Sequence, residues 1–259
     1  MKKHQNLTAS IVLFNEDFEI LNKTIDCFLR IKNFNSKLYL IDNSRNSFFK
    51  DKFLQPNIEY YSSDKNLGFG RGHNLVLEKI KHESDYHLVL NPDVVFEPEV
   101  IDTLVIQLKK DSSLSMIAPK VLFPDGKFQH SCRRYPKISE MFFRRFSVIK
   151  NLSKSIVNKG IYKDKNLDNP FYAEYLTGCF HLYKTEDFLE IGGFDNRYFL
   201  YMEDIDICKK IDAKGTRKMY FPEVEITHVL KQGSSKDYKL FFRHTTSMIK
   251  YFLKWGVRL

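Results

Sequence analysis

Apolar and polar positions along this chain keep two periods in turn. Residues 7–14 form a short β-prone apolar run, and after Asp17 the apolar Phe18, Leu21, Ile25, Phe28 and Leu29 recur at helical spacing. A strand followed by a helix is predicted there. Residues 38–41, 58–61 and 86–90 read as further buried strands, the first ending at Asp42-Asn43-Ser44 and the last at Asn91-Pro92-Asp93. Glu97-Pro98-Glu99 starts a helix over 101–109, because proline is tolerated in a first turn and acidic side chains complement the positive end of the helix dipole. A strand over 116–122 follows. Strands separated by helical patterns imply an α/β fold with a mostly parallel sheet flanked by helices.

The second half changes character. A basic, irregular stretch runs to Asn169, followed by a strand at 174–183, a short helix at 185–190 and Gly192-Gly193-Phe194-Asp195. A helix from about Asp204 to Ala213 is stopped by Gly215, and a strand over 218–226 closes on His228. The last helical pattern puts Phe241, Thr245, Met248, Phe252 and Trp255 on one face and Lys239, Arg243, Lys250 and Lys254 on another. A similar pattern capped by Ser139 carries Phe142, Phe143, Phe146 and Ile149, with Arg144, Arg145 and Lys150 exposed. Two readings stay open for such helices: the apolar stripe lies on anionic lipid, or it packs on the protein's own core and leaves the lysines solvated.

Composition narrows the class. With 259 residues, 43% hydrophobic and 28% charged, the chain is of the soluble globular kind and long enough for one large α/β domain. No apolar run approaches the ~18 residues that span a bilayer. A secretory leader is not expected, because the apolar residues 11–14 are cut off by Asn15, Glu16 and Asp17. The expected placement is cytoplasmic, peripheral on the inner membrane face if the basic segments meet lipid. Cys27, Cys132, Cys179 and Cys208 lie far apart without C-x-x-C spacing, which argues for reduced thiols rather than a zinc knuckle or a disulfide framework.

The net charge of +9 is localised. Residues 127–165 hold eleven basic side chains against Glu140 and Asp164, and residues 236–259 hold six against Asp237, so the rest of the chain is net acidic. Localised basic charge suits a polyanion: nucleic acid, an anionic membrane surface or a phosphorylated substrate.

Polar residues at strand ends are the candidate chemistry, since ligands of open parallel sheets bind beyond the carboxyl ends of the strands. Asp42, Asn91 and Asp93 stand there, and the loop from Asn66 to Asn74, with Gly68, Gly70 and Gly72, opens a helix. Glycines let backbone approach a ligand closely, and a helix N-terminus attracts phosphate. The Gly68-x-Gly70-x-Gly72 spacing matches neither the dinucleotide fingerprint nor the P-loop. Each feature has a structural reading as well: a turn for Asn-Pro-Asp, a cap for Asp42, dipole complementation for Glu203 and Asp204, and a satisfied structural histidine for His228.

Taken in order, these residues resemble inverting glycosyltransferases of the GT-A fold, family 2, and particularly the bacterial rhamnosyltransferase-like branch. The resemblance runs from Ser10 to about Tyr251. It is carried by Ile41-Asp42-Asn43-Ser44, Asn66-Leu67-Gly68-Phe69-Gly70, Leu90-Asn91-Pro92-Asp93, Leu176-Thr177-Gly178, Gly192-Gly193-Phe194-Asp195 and Tyr201-Met202-Glu203-Asp204-Ile205-Asp206. It implies a GT-A (Rossmann-like) domain over 1–235, with a nucleotide-sugar-binding half (1–125) and an acceptor half (126–235) that includes the basic insertion. A basic amphipathic helix over 236–259 follows.

By the same resemblance Asp42 binds the base of a nucleotide-sugar donor with Phe14 packing nearby, and Asn66, Gly68 and Asn74 shape the donor pocket. Arg71 is the implied donor-phosphate contact, at a position where members of the family often carry a small residue. Asn91-Pro92-Asp93 occupies the place of the Asp-x-Asp metal motif, so Asp93, with His228, is the implied ligand of Mg²⁺ or Mn²⁺ and Asn91 lines the donor site. Lys231 and Ser234-Ser235 reach the diphosphate, and Thr177 and Gly178 face the acceptor. Asp204, in the pair with Glu203, is the implied catalytic base.

The chemistry is coherent. A diphosphate leaving group needs its developing charge neutralised, which a hard divalent cation does, and the acceptor hydroxyl must lose a proton to a carboxylate on the opposite face. The resemblance suggests dTDP-rhamnose as donor, with UDP-sugars equally compatible, and a saccharide or lipid-linked saccharide of cell-surface polysaccharide as acceptor. Three other readings remain: a nucleic-acid-binding module using the basic segment, although no nucleic acid is expected; a silent nucleotide-sugar-binding scaffold, since Asn91 replaces an acid; and a nucleotidyltransferase, disfavoured by the acidic Asn15-Glu16-Asp17.

Overall fold

The computed structural model of the chain describes residues 5–45, 48–63, 65–137, 160–229 and 238–256. The first strand, β1 (Asn6–Leu13), is buried along nearly its whole length, as a strand covered on both faces must be, with Thr8 and Ser10 the polar side chains within it. Asp17 then caps α1 (Phe18–Leu29), its side chain accepting from the Ile20 amide at 3.1 Å. Parallel strands β2 (Asn35–Asp42), β3 (Ile58–Ser62) and β4 (Tyr86–Leu90) complete one half of the sheet in the order β3-β2-β1-β4. Between β3 and β4 lie α2 (Phe69–Asn74) and α3 (Leu77–Glu83). This helical segment begins earlier than the apolar period predicts and breaks at 75–76. There the Leu75 and Val76 amides bond three residues back, to Gly72 and His73, and tighten the turn.

The other half of the sheet is mixed. β5 (Val94–Val95), α4 (Glu99–Lys110) and β6 (Leu114–Leu122) lead to a two-residue β7 (Cys132–Arg133), and after residue 160 come β8 (Phe171–Tyr172) and β9 (Tyr175–Leu176). β10 (Phe180–Lys184) lies antiparallel between β4 and β6, and β11 (Arg217–His228) runs parallel to β6 with β5 and β8 antiparallel on it. The single strand expected over 174–183 is therefore two. β9 pairs with β7 in a separate two-stranded sheet, and the chain turns at Thr177–Cys179 before entering the main sheet as β10. That turn becomes the floor of the candidate site. β11 carries a bulge between Phe221 and Glu225, where Pro222 has no amide for the ladder.

Alternation along the strands divides the core. Leu40, Leu88 and Leu90 pack with Leu21, Ile25 and Phe28 of α1 and with Ile101, Leu104 and Leu108 of α4. Ile41, Val89, Met116 and Tyr183 face the other way. They meet Phe188 of α5 (Thr185–Glu190), Ile207 and Ile211 of α6 (Glu203–Lys214), and Tyr251 of α7 (Tyr238–Trp255). Each such fully buried side chain contributes about 1.5–3 kcal/mol relative to exposure. α6 ends on Gly215 at φ +86°, the left-handed conformation that suits a glycine after a helix.

Met248, Phe252 and Trp255, the stripe expected on one face of the last helix, pack against this second core. Lys254 is a correction: expected on the solvated face, it is half-buried against Asp195 and Asp206. All four cysteines are free and buried. Among the described residues no helix is long and apolar enough to cross a membrane. The helix expected over Phe142, Phe143, Phe146 and Ile149, together with Lys231 and Ser234-Ser235, lies outside the described residues.

Candidate active site

Three strand ends and one helix start converge. At the end of β2 Asp42 is fully buried, with one carboxylate oxygen accepting from the Ser44 amide at 2.7 Å and the other from the Tyr60 hydroxyl. Ser44 Oγ in turn accepts from the Asn15 amide at 2.8 Å, which ties the β2 loop to the loop after β1, where Phe14 is 50% exposed. Asn43 Nδ2 donates to the Gly68 carbonyl at 3.2 Å. Gly68 has φ +84°, and a Cβ there would stand 2.0 Å from the Phe199 carbonyl oxygen, so no other residue fits. Asn66 Oδ1 accepts from the Gly68 amide at 2.8 Å and holds this turn.

Arg71 and Asn74 are spent on a neighbouring loop. Arg71 Nε donates to the Asn196 carbonyl at 2.6 Å. Asn74 grips Phe194 from both sides, donating to its carbonyl at 2.7 Å and accepting from its amide at 2.9 Å. These observed contacts brace the Gly193–Asn196 turn.

After β4 the Asn91 amide donates to the Cys179 carbonyl at 2.9 Å, and Thr24 Oγ1 donates to the Pro92 carbonyl at 2.8 Å. Asp93 Oδ1 and Asn91 Nδ2 each lie 3.2 Å from His228 Nε2, at the end of β11. His228 Nδ1 lies 2.8 Å from Gln129 Oε1. Burial works against a charged His228, but its hydrogen bonds to Asp93 and Cys179 outweigh that and raise it to about 10. Among the described residues no three His, Cys, Asp or Glu side chains form a cluster able to hold a metal. The pair still fits a hard divalent cation, offering one carboxylate oxygen and one imidazole nitrogen 3.2 Å apart. Gln129 accepts the Nδ1 proton, so Nε2 is the ring nitrogen that would bind a metal once the proton it shares with Asp93 is displaced. Substrate oxygens and water would supply the remaining positions.

Gly178 joins this pair to the carboxylates of α6. A Cβ on Gly178 would stand 3.4 Å from Asp204 Cβ, while the next residue, Cys179, reaches Asn91 through its carbonyl and His228 through its sulfur. The Thr177 amide donates to the Ser131 carbonyl at 2.7 Å and fixes the other end of the turn. Asp204 and the Asp93–His228 pair therefore flank one three-residue turn.

The two carboxylates differ in surroundings. Glu203 is 6% exposed, its Oε2 has no hydrogen-bond partner, and burial followed by the neighbouring Asp204 charge raises its pKa. Asp204 is also raised by burial, but it is half-buried, and the amides of Ile205 and Gly178 and the charge of Arg133 oppose the shift. The proton of the pair belongs on Glu203 and the negative charge on Asp204. Both are presented by strained backbone, since Tyr201 and Met202 have φ +69° and +71°.

Gln129, Tyr60 and Phe199 were not anticipated from the sequence. No local pattern marks them, because each acts through a partner distant along the chain.

Residues 8–192 match the model of glycosyl transferase family 2. The chain belongs to that family. Residues 164–232 also match the model described as the N-terminal domain of galactosyltransferase. The glycosyltransferase is 29% identical over 200 residues to rhamnosyltransferase WbbL of Escherichia coli, covering 74% of this chain and 72% of that one. It is 25% identical over 202 residues to N-acetylglucosaminyl-diphospho-decaprenol L-rhamnosyltransferase of Mycobacterium tuberculosis, covering 70% of this chain and 62% of that one. The GT-A fold is shown by its likeness to GalNAc-T7 in complex with UDP, GalNAc and Mn²⁺, at TM-score 0.70 and 14% identity over 96% of this chain and 48% of that one. Mannosyltransferase PcManGT from Pyrobaculum calidifontis, with GDP-Man and Mn²⁺, superposes at TM-score 0.63 and 14% identity, covering 98% of this chain and 65% of that one. Family membership together with the two rhamnosyltransferase relatives supports a glycosyltransferase of rhamnosyltransferase-like type.

Proposed function

We propose that this enzyme transfers rhamnose from dTDP-rhamnose, with inversion, to a hydroxyl of a saccharide or lipid-linked saccharide in cell-surface polysaccharide synthesis. The observation that carries the proposal is the placement of Asp204 and the Asp93–His228 pair on either side of the Thr177–Cys179 turn. An acceptor hydroxyl over Gly178 gives its proton to Asp204 as its oxygen attacks the anomeric carbon. The bond from that carbon to the diphosphate breaks and its electron pair leaves with the nucleoside diphosphate. Attack and departure on opposite faces invert the centre.

Phe14, Asn66, Gly68 and Asn91 line the donor side in this reading. Asp42 contributes through the Ser44–Asn15 contact that sets the loop on which the base rests. Asp93 and His228 hold Mg²⁺ or Mn²⁺, which when bound supplies positive charge to the departing diphosphate. The choice of rhamnose is supported by the names of the two rhamnosyltransferases above, and the second name supports a lipid-linked acceptor.

The test is a thermal-shift series with dTDP-rhamnose, UDP-sugars and GDP-sugars, with and without Mn²⁺, followed by a transfer assay with the ligand that binds. A ligand held at a hundred times its Kd stabilises the native state by about 2.7 kcal/mol. dTDP-rhamnose is expected to give the largest metal-dependent shift; a larger shift with a UDP-sugar reassigns the donor, and none with any of them overturns the reading.

A further inference from the structure

Among the described residues, helix α7 packs one apolar face on the second core and leaves Ile249 and Leu253 exposed on another. Tyr251 and Phe252 are buried against the second core, and Ser247 Oγ donates to the Leu200 carbonyl at 2.9 Å. On the opposite side Ile249 and Leu253 are 53% and 81% exposed, in line with Phe242 at 68% and with Thr246 between them. The spacing of four, three and four residues from Phe242 to Leu253 is that of a single helix stripe. Scattered exposed hydrophobics are ordinary on a soluble protein, but three of the nine large ones exposed among the described residues stand on this one stripe.

Charge indicates what the stripe meets. The chain carries no acidic residue from Tyr238 to Gly256. The exposed Arg243 lies with its guanidinium 4.3 Å from the Phe199 ring centre, and the exposed Lys250 donates to the Arg197 carbonyl at 2.8 Å. Arg197 is exposed on the 196–199 segment, where it pairs with Asp195 at 2.9 Å, and the exposed Arg71 of α2 donates to the Asn196 carbonyl of that segment. Four cations thus collect along one flank of an apolar stripe. Apolar side chains entering the acyl boundary with Lys and Arg at headgroup level is the arrangement of an interfacial helix.

We infer that the outer face of α7 is a docking surface for an anionic lipid bilayer, with Ile249 and Leu253 entering the headgroup region and Arg243 and Lys250 meeting lipid phosphates. A second copy of the chain fits less well, because a two-fold contact across this stripe brings like-charged flanks together. The face differs from the one the sequence pattern offered, since Met248, Phe252 and Trp255 are occupied by the protein core. Docking here has a consequence for the site. His244 packs on Tyr201 at 5.1 Å between ring centres, so the helix that meets the bilayer rests on the segment leading directly into Glu203 and Asp204. The inference needs no donor, acceptor or transfer step, so it fails or stands separately from the proposed function.

The test is sedimentation of the purified chain with vesicles of phosphatidylcholine alone or mixed with phosphatidylglycerol, at low and high salt. Binding is expected only with phosphatidylglycerol and is expected to weaken with salt. The Ile249→Ser/Leu253→Ser double variant should bind at least about tenfold more weakly, and Arg243→Gln or Lys250→Gln roughly fivefold each. Unchanged thermal midpoints, checked also with Leu253→Lys, show that these variants are folded. Equal binding to both vesicle types, no binding at all, or wild-type binding by the double variant overturns the inference. So does a dimer in sedimentation velocity that Leu253→Ser converts to monomer without any vesicle binding.

Discussion

Lys254 Nζ lies 2.8 and 2.9 Å from the two carboxylate oxygens of Asp206, a side chain with no exposed surface. Asp206 also accepts from the Tyr198 hydroxyl at 3.0 Å and from Trp255 Nε1 at 2.7 Å, and Lys254 reaches Asp195 at 2.7 Å. The end of the last helix is thereby fastened to the first turn of α6, two residues from Asp204. Removing one partner leaves a buried charge without compensation. Lys254→Met is expected to cost about 2 kcal/mol of stability in urea titration, and Asp206→Asn in the same background to recover part of it.

Asp204→Asn keeps the shape of the crevice and removes the group that takes the acceptor proton. The transfer rate is expected to fall by about 10² to 10⁴-fold, while the donor-induced thermal shift stays at the wild-type value. Loss of the shift along with the rate would show a binding role instead of a base.

Glu203 sets an alkaline limit. Its folded pKa is raised by burial and by the Asp204 charge above the ordinary 4.5, so the folded state holds a proton that the unfolded state has released. Its contribution to stability is complete below 4.5 and is lost as pH rises through the raised value. Glu203→Gln, which never ionises, is expected to flatten that decline and raise the thermal midpoint at alkaline pH relative to wild type.

Three buried histidines act in the opposite sense at low pH. Ser10 Oγ lies 2.7 Å from His73 Nδ1 and 2.9 Å from His87 Nε2, and His181 Nδ1 lies 3.0 Å from the Tyr183 hydroxyl. Burial lowers His73 well below 6.5, His87 to about 3 and His181 to about 4. The unfolded chain binds these protons first, so stability is present above 6.5 and is lost as pH falls toward the folded values. Each histidine that stays neutral in the fold costs about 2 kcal/mol at pH 5. Thermal midpoints between pH 7 and 5 should fall, and His181→Gln should lessen the slope.

Asp93→Ala and His228→Ala should each abolish the Mn²⁺-dependent part of the donor-induced thermal shift and leave the metal-independent part. Chelation of wild type should reproduce the same loss. A full Mn²⁺ effect in both variants would place the metal elsewhere.

Much of the fold was legible because its signals are local. Asp17 as a cap, the run 86–90 as a buried strand, Glu97-Pro98-Glu99 as a helix start and Gly215 as a helix stop each depend on a few neighbouring residues, and each stands where expected. The turn at Thr177–Cys179 was not legible, since its flanks are both β-prone and only pairing with Cys132–Arg133 on one side and Tyr86–Leu90 on the other divides them. Lys254 looked solvent-bound for the same reason: helical spacing assigns a face but does not reveal an aspartate waiting beneath it.

The sequence by itself determined most of the strands and helices of the first half, that acidic and amide side chains end the parallel strands, and that Glu203-Asp204 opens a helix. The tertiary structure decided which of these groups meet. Asp93 and His228 are 135 residues apart in number yet lie 3.2 Å apart, and Gln129 joins them only because β11 returns beside β6. It also decided the protonation order of Glu203 and Asp204, because burial is a property of the folded environment and two adjacent carboxylates share almost the same local sequence.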